Sequence, residues 1–127
     1  MANSVVTNIA KKKLVQARAG LIPRLPVVAG MAFGDGAVSG SLVRTPLETD
    51  IGLQHELHRQ HISRATLQED EISVLYESTL EKLTLAGQVI NEIALYDDEG
   101  DFLAIKSFSN KGKDDDMEMV FEILDKF

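Results

Sequence analysis

Apolar and polar positions alternate with a period of two through residues 72–80, where Ile72, Val74, Tyr76, Ser78 and Leu80 share one side. That period predicts a strand with one buried face. Residues 117–124 repeat the pattern, with Met119, Phe121 and Ile123 on one face and Val120, Glu122 and Leu124 on the other. Between them, 88–96 and 102–108 read as two more strands. The turn signal Asp97-Asp98-Glu99-Gly100 joins them as a hairpin. Earlier in the chain the apolar run LPVVAGMAF (25–33) predicts a strand, with Pro26 excluded from a central position because proline has no N–H to donate. Gly34-Asp35-Gly36 then turns the chain. Glycines on both sides predict unusual backbone dihedrals there, with Asp35 bonding nearby amides. Residues 37–49 and the charged 110–116 read as loops.

Two segments follow helical signals instead. Thr7 is a good N-cap for a helix over 7–19, with Ile9, Ala10, Leu14 and Ala17 as a thin apolar face and Gly20 at the stop. Lys11, Lys12 and Lys13 are expected largely toward solvent. Asp50 is the expected cap of a second helix running to about His61. The fold class that follows is α+β: two helices from the N-terminal half packed with a mainly antiparallel sheet formed largely by residues 63–124. A single domain over 1–127 is expected, with flexible ends at 1–6 and 125–127.

Composition narrows the function. The 127 residues contain no cysteine, which removes disulfides, thiolate nucleophiles and cysteine-ligated metals. No apolar run approaches the roughly 18 residues of a membrane span. The net charge is −7 and lopsided: residues 1–64 hold eight Lys or Arg against four Asp or Glu, residues 65–127 five against sixteen. The acidic half argues against nucleic acid as a partner. The basic start could face an acidic protein surface, such as that of a second copy.

Candidate chemistry is sparse. His55, His58 and His61, placed on the expected second helix, are the candidates for a metal or small-molecule site. Their spacing is not that of a zinc protease, since Arg59 stands where a second histidine is needed, and a polar helix surface is the plainer reading. Gly30, Gly34 and Gly36 lack the spacing of a phosphate-binding loop. Asp97, Asp98, Glu99 and Asp101 surround Gly100 without the length of an EF-hand loop, which favours a hairpin tip over calcium. Lys11-Lys12-Lys13 reads as a solvated helix face. Glu92 stands out as a charge inside an apolar strand, where it must be paired. Arg59, beside Glu56, is the expected partner.

Four pieces in order resemble the N-terminal collar or attachment region of tailed-phage tail-fibre proteins, over Thr7 to Leu124. They are a helix ending in Ala19-Gly20; an apolar strand entering Gly34-Asp35-Gly36; Leu53-x-x-Glu56-Leu57-x-Arg59-x-x-Ile62; and Gly87-x-x-Ile90-x-Glu92-Ile93-Ala94-Leu95-Tyr96-Asp97-x-x-Gly100-x-Phe102-Leu103-Ala104-Ile105. The resemblance implies a structural part of a phage or prophage tail or baseplate, in the virion tail and assembled in the bacterial host cytoplasm. It implies fibre attachment or assembly through protein contacts, a homo-oligomer with a trimer favoured, other tail proteins as partners, no enzyme activity and no cofactor. Gly34, Asp35, Gly36, Glu56, Arg59, Glu92 and Gly100 are its expected structural residues. Such proteins continue into a shaft and receptor-binding tip, so attachment is expected here rather than host recognition. The alternatives are a metal- or small-molecule-binding module using His55, His58 and His61, and an enzyme whose site forms between subunits.

Overall fold

The computed structural model describes residues 3–126. In chain order the elements are β1 (Asn3–Val6), α1 (Asn8–Arg18), β2 (Val28–Gly34), β3 (Val38–Ser39), β4 (Leu42–Val43), β5 (Glu56–His61), β6 (Arg64–Leu67), β7 (Ser73–Leu80), β8 (Val89–Asp97), β9 (Phe102–Gly112) and β10 (Met119–Lys126). A five-stranded sheet runs β1-β9-β8-β2-β5, a three-stranded sheet runs β10-β7-β6, and β3 pairs with β4. Every pairing is antiparallel. The expected two-helix α+β fold is therefore corrected to a mostly-β one with, among the described residues, a single short helix. The main sheet also draws β1, β2 and β5 from outside the expected 63–124. The helix is too short to cross a membrane.

The expected second helix over 50–61 is where the difference lies. Its first part is irregular and its second is β5, paired to β2 from Gly30↔His61 to Gly34↔Glu56. Glu, Leu, Arg and Gln are good helix formers, but propensity is a weak prior, and here pairing with a buried strand overrides it. Asp50 caps no helix. Its carboxylate takes two hydrogen bonds from the Arg44 guanidinium, at 2.8 and 3.0 Å, and one from the Leu47 amide at 2.9 Å. Of the ends expected to be flexible, residues 3–6 form β1 against β9 and residues 125–126 finish β10; residues 1–2 and 127 lie outside the described residues.

The strands place two apolar clusters on the two faces of the five-stranded sheet. Met31 and Phe33 of β2 and Ile93 and Leu95 of β8 meet Leu80, Phe121 and Ile123 of the smaller sheet. Phe121 meets Phe33 edge-on, with centroids 5.4 Å apart, and stacks on Phe108 at 6.0 Å. The opposite face carries Ala32, Ala94, Tyr96, Phe102 and Ile105. Strand β8 is buried on both sides from Ile90 to Asp97, and its apolar stretch Ile93–Tyr96 is flanked by the buried polar residues Asn91, Glu92 and Asp97. The period-two reading of residues 117–124 holds: Phe121 and Ile123 are buried, whereas Val120, Glu122 and Leu124 are exposed.

Helix α1 starts as expected at Thr7, whose hydroxyl oxygen accepts from the Ala10 amide at 3.3 Å. The same hydroxyl donates to the Phe102 carbonyl at 2.6 Å, fixing the cap to the start of β9. Lys13 departs from the expectation of a solvated lysine face. It is buried, and its ammonium reaches Asp97 at 2.6 Å, Glu99 at 2.8 Å and Asp101 at 2.8 Å. Burial pulls the Lys13 pKa down, but hydrogen bonds to Asp101, Asp97 and Glu99 outweigh it and hold the pKa above its usual value.

Glu99 and Asp101 are partly exposed, so solvent screens their share, and Asp97 is the one fully buried partner of Lys13. Removing one partner of a buried pair strands the other charge. Lys13→Met is therefore expected to lower unfolding stability by about 3–5 kcal/mol. Urea melts of the two proteins measure this; coincident midpoints would show that the pair does not anchor the helix.

Candidate functional site

The side of β2 that faces the second cluster reads Gly30, Ala32, Gly34. Across from these, β8 presents Tyr96, Ala94 and Glu92 in register. Small residues on one strand leave room for large ones on the next. A Cβ on Gly34 would lie 2.6 Å from a Glu92 carboxylate oxygen and 2.5 Å from the His55 carbonyl; one on Gly36 would lie 2.7 Å from the His55 amide nitrogen. These two glycines are required by close approach. The sequence predicts unusual backbone dihedrals at both; neither has a positive φ, and of the expected site glycines it is Gly100, at the β8–β9 turn, that does, with φ 88°.

Into this space the Glu92 carboxylate is buried at 2% exposure. One oxygen accepts from the Gly36 amide at 2.9 Å and the His55 amide at 2.9 Å. The other accepts from the Gln54 amide at 2.8 Å. Three backbone donors compensate the desolvation of a charge that would otherwise be too costly to bury. The carboxylate thereby ties the turn after β2 to the segment entering β5. Asn91 helps from the other side of the strand. Its Oδ1 accepts from the Ala37 amide at 2.9 Å, and its Nδ2 donates to the Asp35 carbonyl and to Asn110 Oδ1, both at 3.0 Å. Asn91 was not singled out in the sequence; a polar residue directly before the buried Glu92 was the available signal.

The expected Glu92–Arg59 pair does not form. Arg59 instead donates two hydrogen bonds to Glu56, at 2.8 and 2.9 Å. A bulge in β5 allows this. Phe33 pairs with His58 and Gly34 with Glu56, so Leu57 is skipped and residues 56 and 59 come to one face. The guanidinium lies 4.8 Å from the Tyr96 ring centroid and 5.1 Å from that of Phe102, covering the second cluster.

The three histidines are not brought together. His58 and His61 lie on opposite faces of β5. His58 stacks on Phe33, with centroids 6.1 Å apart, and bonds Gln60 at 3.0 Å. His61 Nδ1 reaches the Ala29 carbonyl at 3.4 Å. His55 sits beside the Glu92 cradle, its Nδ1 2.5 Å from Asp35. A carboxylate–imidazole pair needs a hydroxyl or thiol to become a nucleophilic site. Among the described residues no such group bonds His55. The acidic group Asp97, Glu99 and Asp101 does converge, with ligand oxygens within 4.8 Å of one another, but the charge it gathers around is the Lys13 ammonium.

Two outcomes follow from this geometry. Glu92→Ala leaves three amides without an acceptor, and is expected to cost about 3–4 kcal/mol in denaturant unfolding; an unchanged midpoint would contradict the cradle. The Asp35 hydrogen bond, then its charge, raises the His55 pKa above its usual value. A raised folded-state pKa stabilises fully below the unfolded value of about 6.5 and is lost as pH rises through the folded value. Wild type should therefore lose melting temperature relative to His55→Gln between about pH 6 and 8. Parallel curves would show that the pair carries no linkage.

No curated protein and no solved structure matches the chain. A family model does: the phage tail-collar fibre protein, N-terminal, over residues 1–121. A domain whose buried carboxylates are spent on its own amides and ammonium, and whose chain that family model matches over nearly its whole length, belongs to the phage tail-collar fibre family and is a structural part of a phage tail.

Proposed function

We propose that this domain attaches or assembles a tail fibre, in a phage or prophage tail or baseplate, through contacts with other tail proteins and with copies of itself. A trimer is the favoured assembly, built in the host cytoplasm and carried in the virion tail. The reading assigns no catalysis and no cofactor. The observation that carries it, beside the family, is the outer face of the three-stranded sheet. Leu124 of β10 pairs directly with Leu75 of β7, which pairs with Thr66 of β6, and Val120 lies on the same face of β10. Val120 is 59% and Leu124 52% exposed. Exposed aliphatic side chains on either side of Glu122 on this face support its use as a contact surface.

The idea of a basic start docking on the acidic half of a second copy loses much of its charge. Lys11 pairs with Glu48, Lys13 with Asp97, and Arg24 with Asp98, all within the chain. Self-association on this reading is therefore apolar in origin. Light scattering at several protein concentrations is expected to give a trimer, and Leu124→Lys a monomer with unchanged circular dichroism. A wild-type monomer at every concentration would overturn the self-association.

A further inference from the structure

Between α1 and the ends of the two sheets lies an open groove of about 490 Å³. It is the place where the core between the sheets stops short. Leu25 and Val27, in the segment before β2, form one wall; Leu67, Ile72 and the Tyr76 ring form the other. Asp125 stands on that second wall, because Asp125 pairs with Val74 and Val74 with Leu67, placing all three on the inner face of the sheet. Leu25 is 45%, Val27 57%, Leu67 62% and Ile72 52% exposed. Four aliphatic side chains around one volume are a contiguous apolar patch.

Charge selects the occupant. The two lysines that reach the groove are already engaged, Lys11 with Glu48 at 2.6 Å and Lys13 with Asp97 at 2.6 Å. Lys126, next to Asp125 in sequence, turns to Asp70 at 3.6 Å. The carboxylates of Asp125 and Glu71 line the groove, and among the described residues neither has a cation within 4.0 Å. Burial raises the Asp125 pKa; burial, then the Asp125 charge, raises that of Tyr76. An apolar groove with two unneutralised carboxylates is complementary to an apolar segment bearing a cation.

We propose that this groove docks an apolar peptide segment of another tail protein that carries a lysine or arginine, its cation seated against Asp125 and Glu71. The proposal rests on the attachment reading and names the chemistry of the partner. The cation removes the penalty of the half-buried Asp125 carboxylate, and the apolar residues cover the four aliphatic side chains.

The probes are two short leucine-rich peptides that differ only in one central lysine or glutamate, titrated into the full chain by fluorescence anisotropy. The lysine peptide is expected to bind about tenfold tighter than its twin. Asp125→Asn should erase most of that difference, and Val27→Glu or Leu67→Glu should abolish binding. Both aliphatic side chains are mostly exposed, so these variants should fold. Asp125→Asn should also fold at least as well as wild type. A carboxyl raised by burial stabilises below its unfolded pKa and loses that contribution as pH rises through the folded value, so at neutral pH asparagine removes a cost. Equal binding of the two peptides, or a preference untouched by Asp125→Asn, would overturn the choice of a cationic partner. No binding by either peptide would overturn the groove as a docking site; a trimer in the same preparation would leave the assembly reading standing. A concentration-dependent mass that Leu67→Glu abolishes would assign the groove to a second copy and overturn the proposal.

Discussion

A single buried carboxylate sets the geometry of one end of this domain. Glu92 can point across β2 only because Gly34 has no side chain, and its carboxylate is satisfied there because Gly36, Gln54 and His55 turn their amides to it. Those amides come from two stretches of chain that share no strand. Holding both fixes where β5 begins against β2. The bulge at Leu57 then brings Glu56 and Arg59 to the same face. Arg59 closes over Tyr96 and Phe102 as a consequence. Each step depends on the one before, so the cradle acts more as a positioning device than as a source of net stability. A buried charge that is fully hydrogen-bonded roughly offsets its own desolvation, whereas its removal strands every donor aimed at it.

The other end of β8 repeats the logic with the opposite kind of partner. Asp97 is buried at 1% exposure; one oxygen takes the Glu99 and Asp101 amides at 3.0 Å each, and the other takes the Lys13 ammonium. The strand between the two acids is apolar and covered on both faces. Its ends are thus pinned by polar contacts that admit one register, while its middle supplies the packing. An apolar strand alone could slip along its neighbours. Glu92 and Asp97 prevent this because their donors exist at only one place each.

The elements with strong local signals were legible in the sequence. The Thr7 cap, the strand after Pro26, the Asp97–Gly100 hairpin and the alternating faces of β7 and β10 all follow from period and turn chemistry. What failed depended on distant partners. Residues 56–61 have helical composition and become a strand because β2 offers an open edge beside them. Three consecutive lysines look solvated, and nothing local reveals that the third meets an aspartate 84 residues away. Glu92 was recognisable as a charge needing a partner, but backbone amides leave no mark in a sequence, so a guanidinium was the natural candidate. The glycines of 34–36 were legible as special, though for the wrong physical reason: the constraint is the neighbour a side chain would strike, not the backbone angle.

The same internal pairing shapes what the surface offers. Lys11, Lys13, Arg24, Arg44 and Arg59 are all turned to carboxylates of their own chain. Much of the positive charge of the first half is thereby spent on holding the fold, whereas Asp114, Asp115, Asp116, Glu118 and Glu122 remain exposed. A partner therefore meets a surface more acidic in effect than its formal charge distribution suggests. Salt would weaken the long-range part of that attraction, because exposed charges are screened within about 8–10 Å at ordinary ionic strength. Contacts that survive screening must come from the aliphatic groups left uncovered, on the outer face of β10 and where the two sheets part. Buried polar contacts select one fold for this chain, and apolar surface left outside that fold is what remains for assembly.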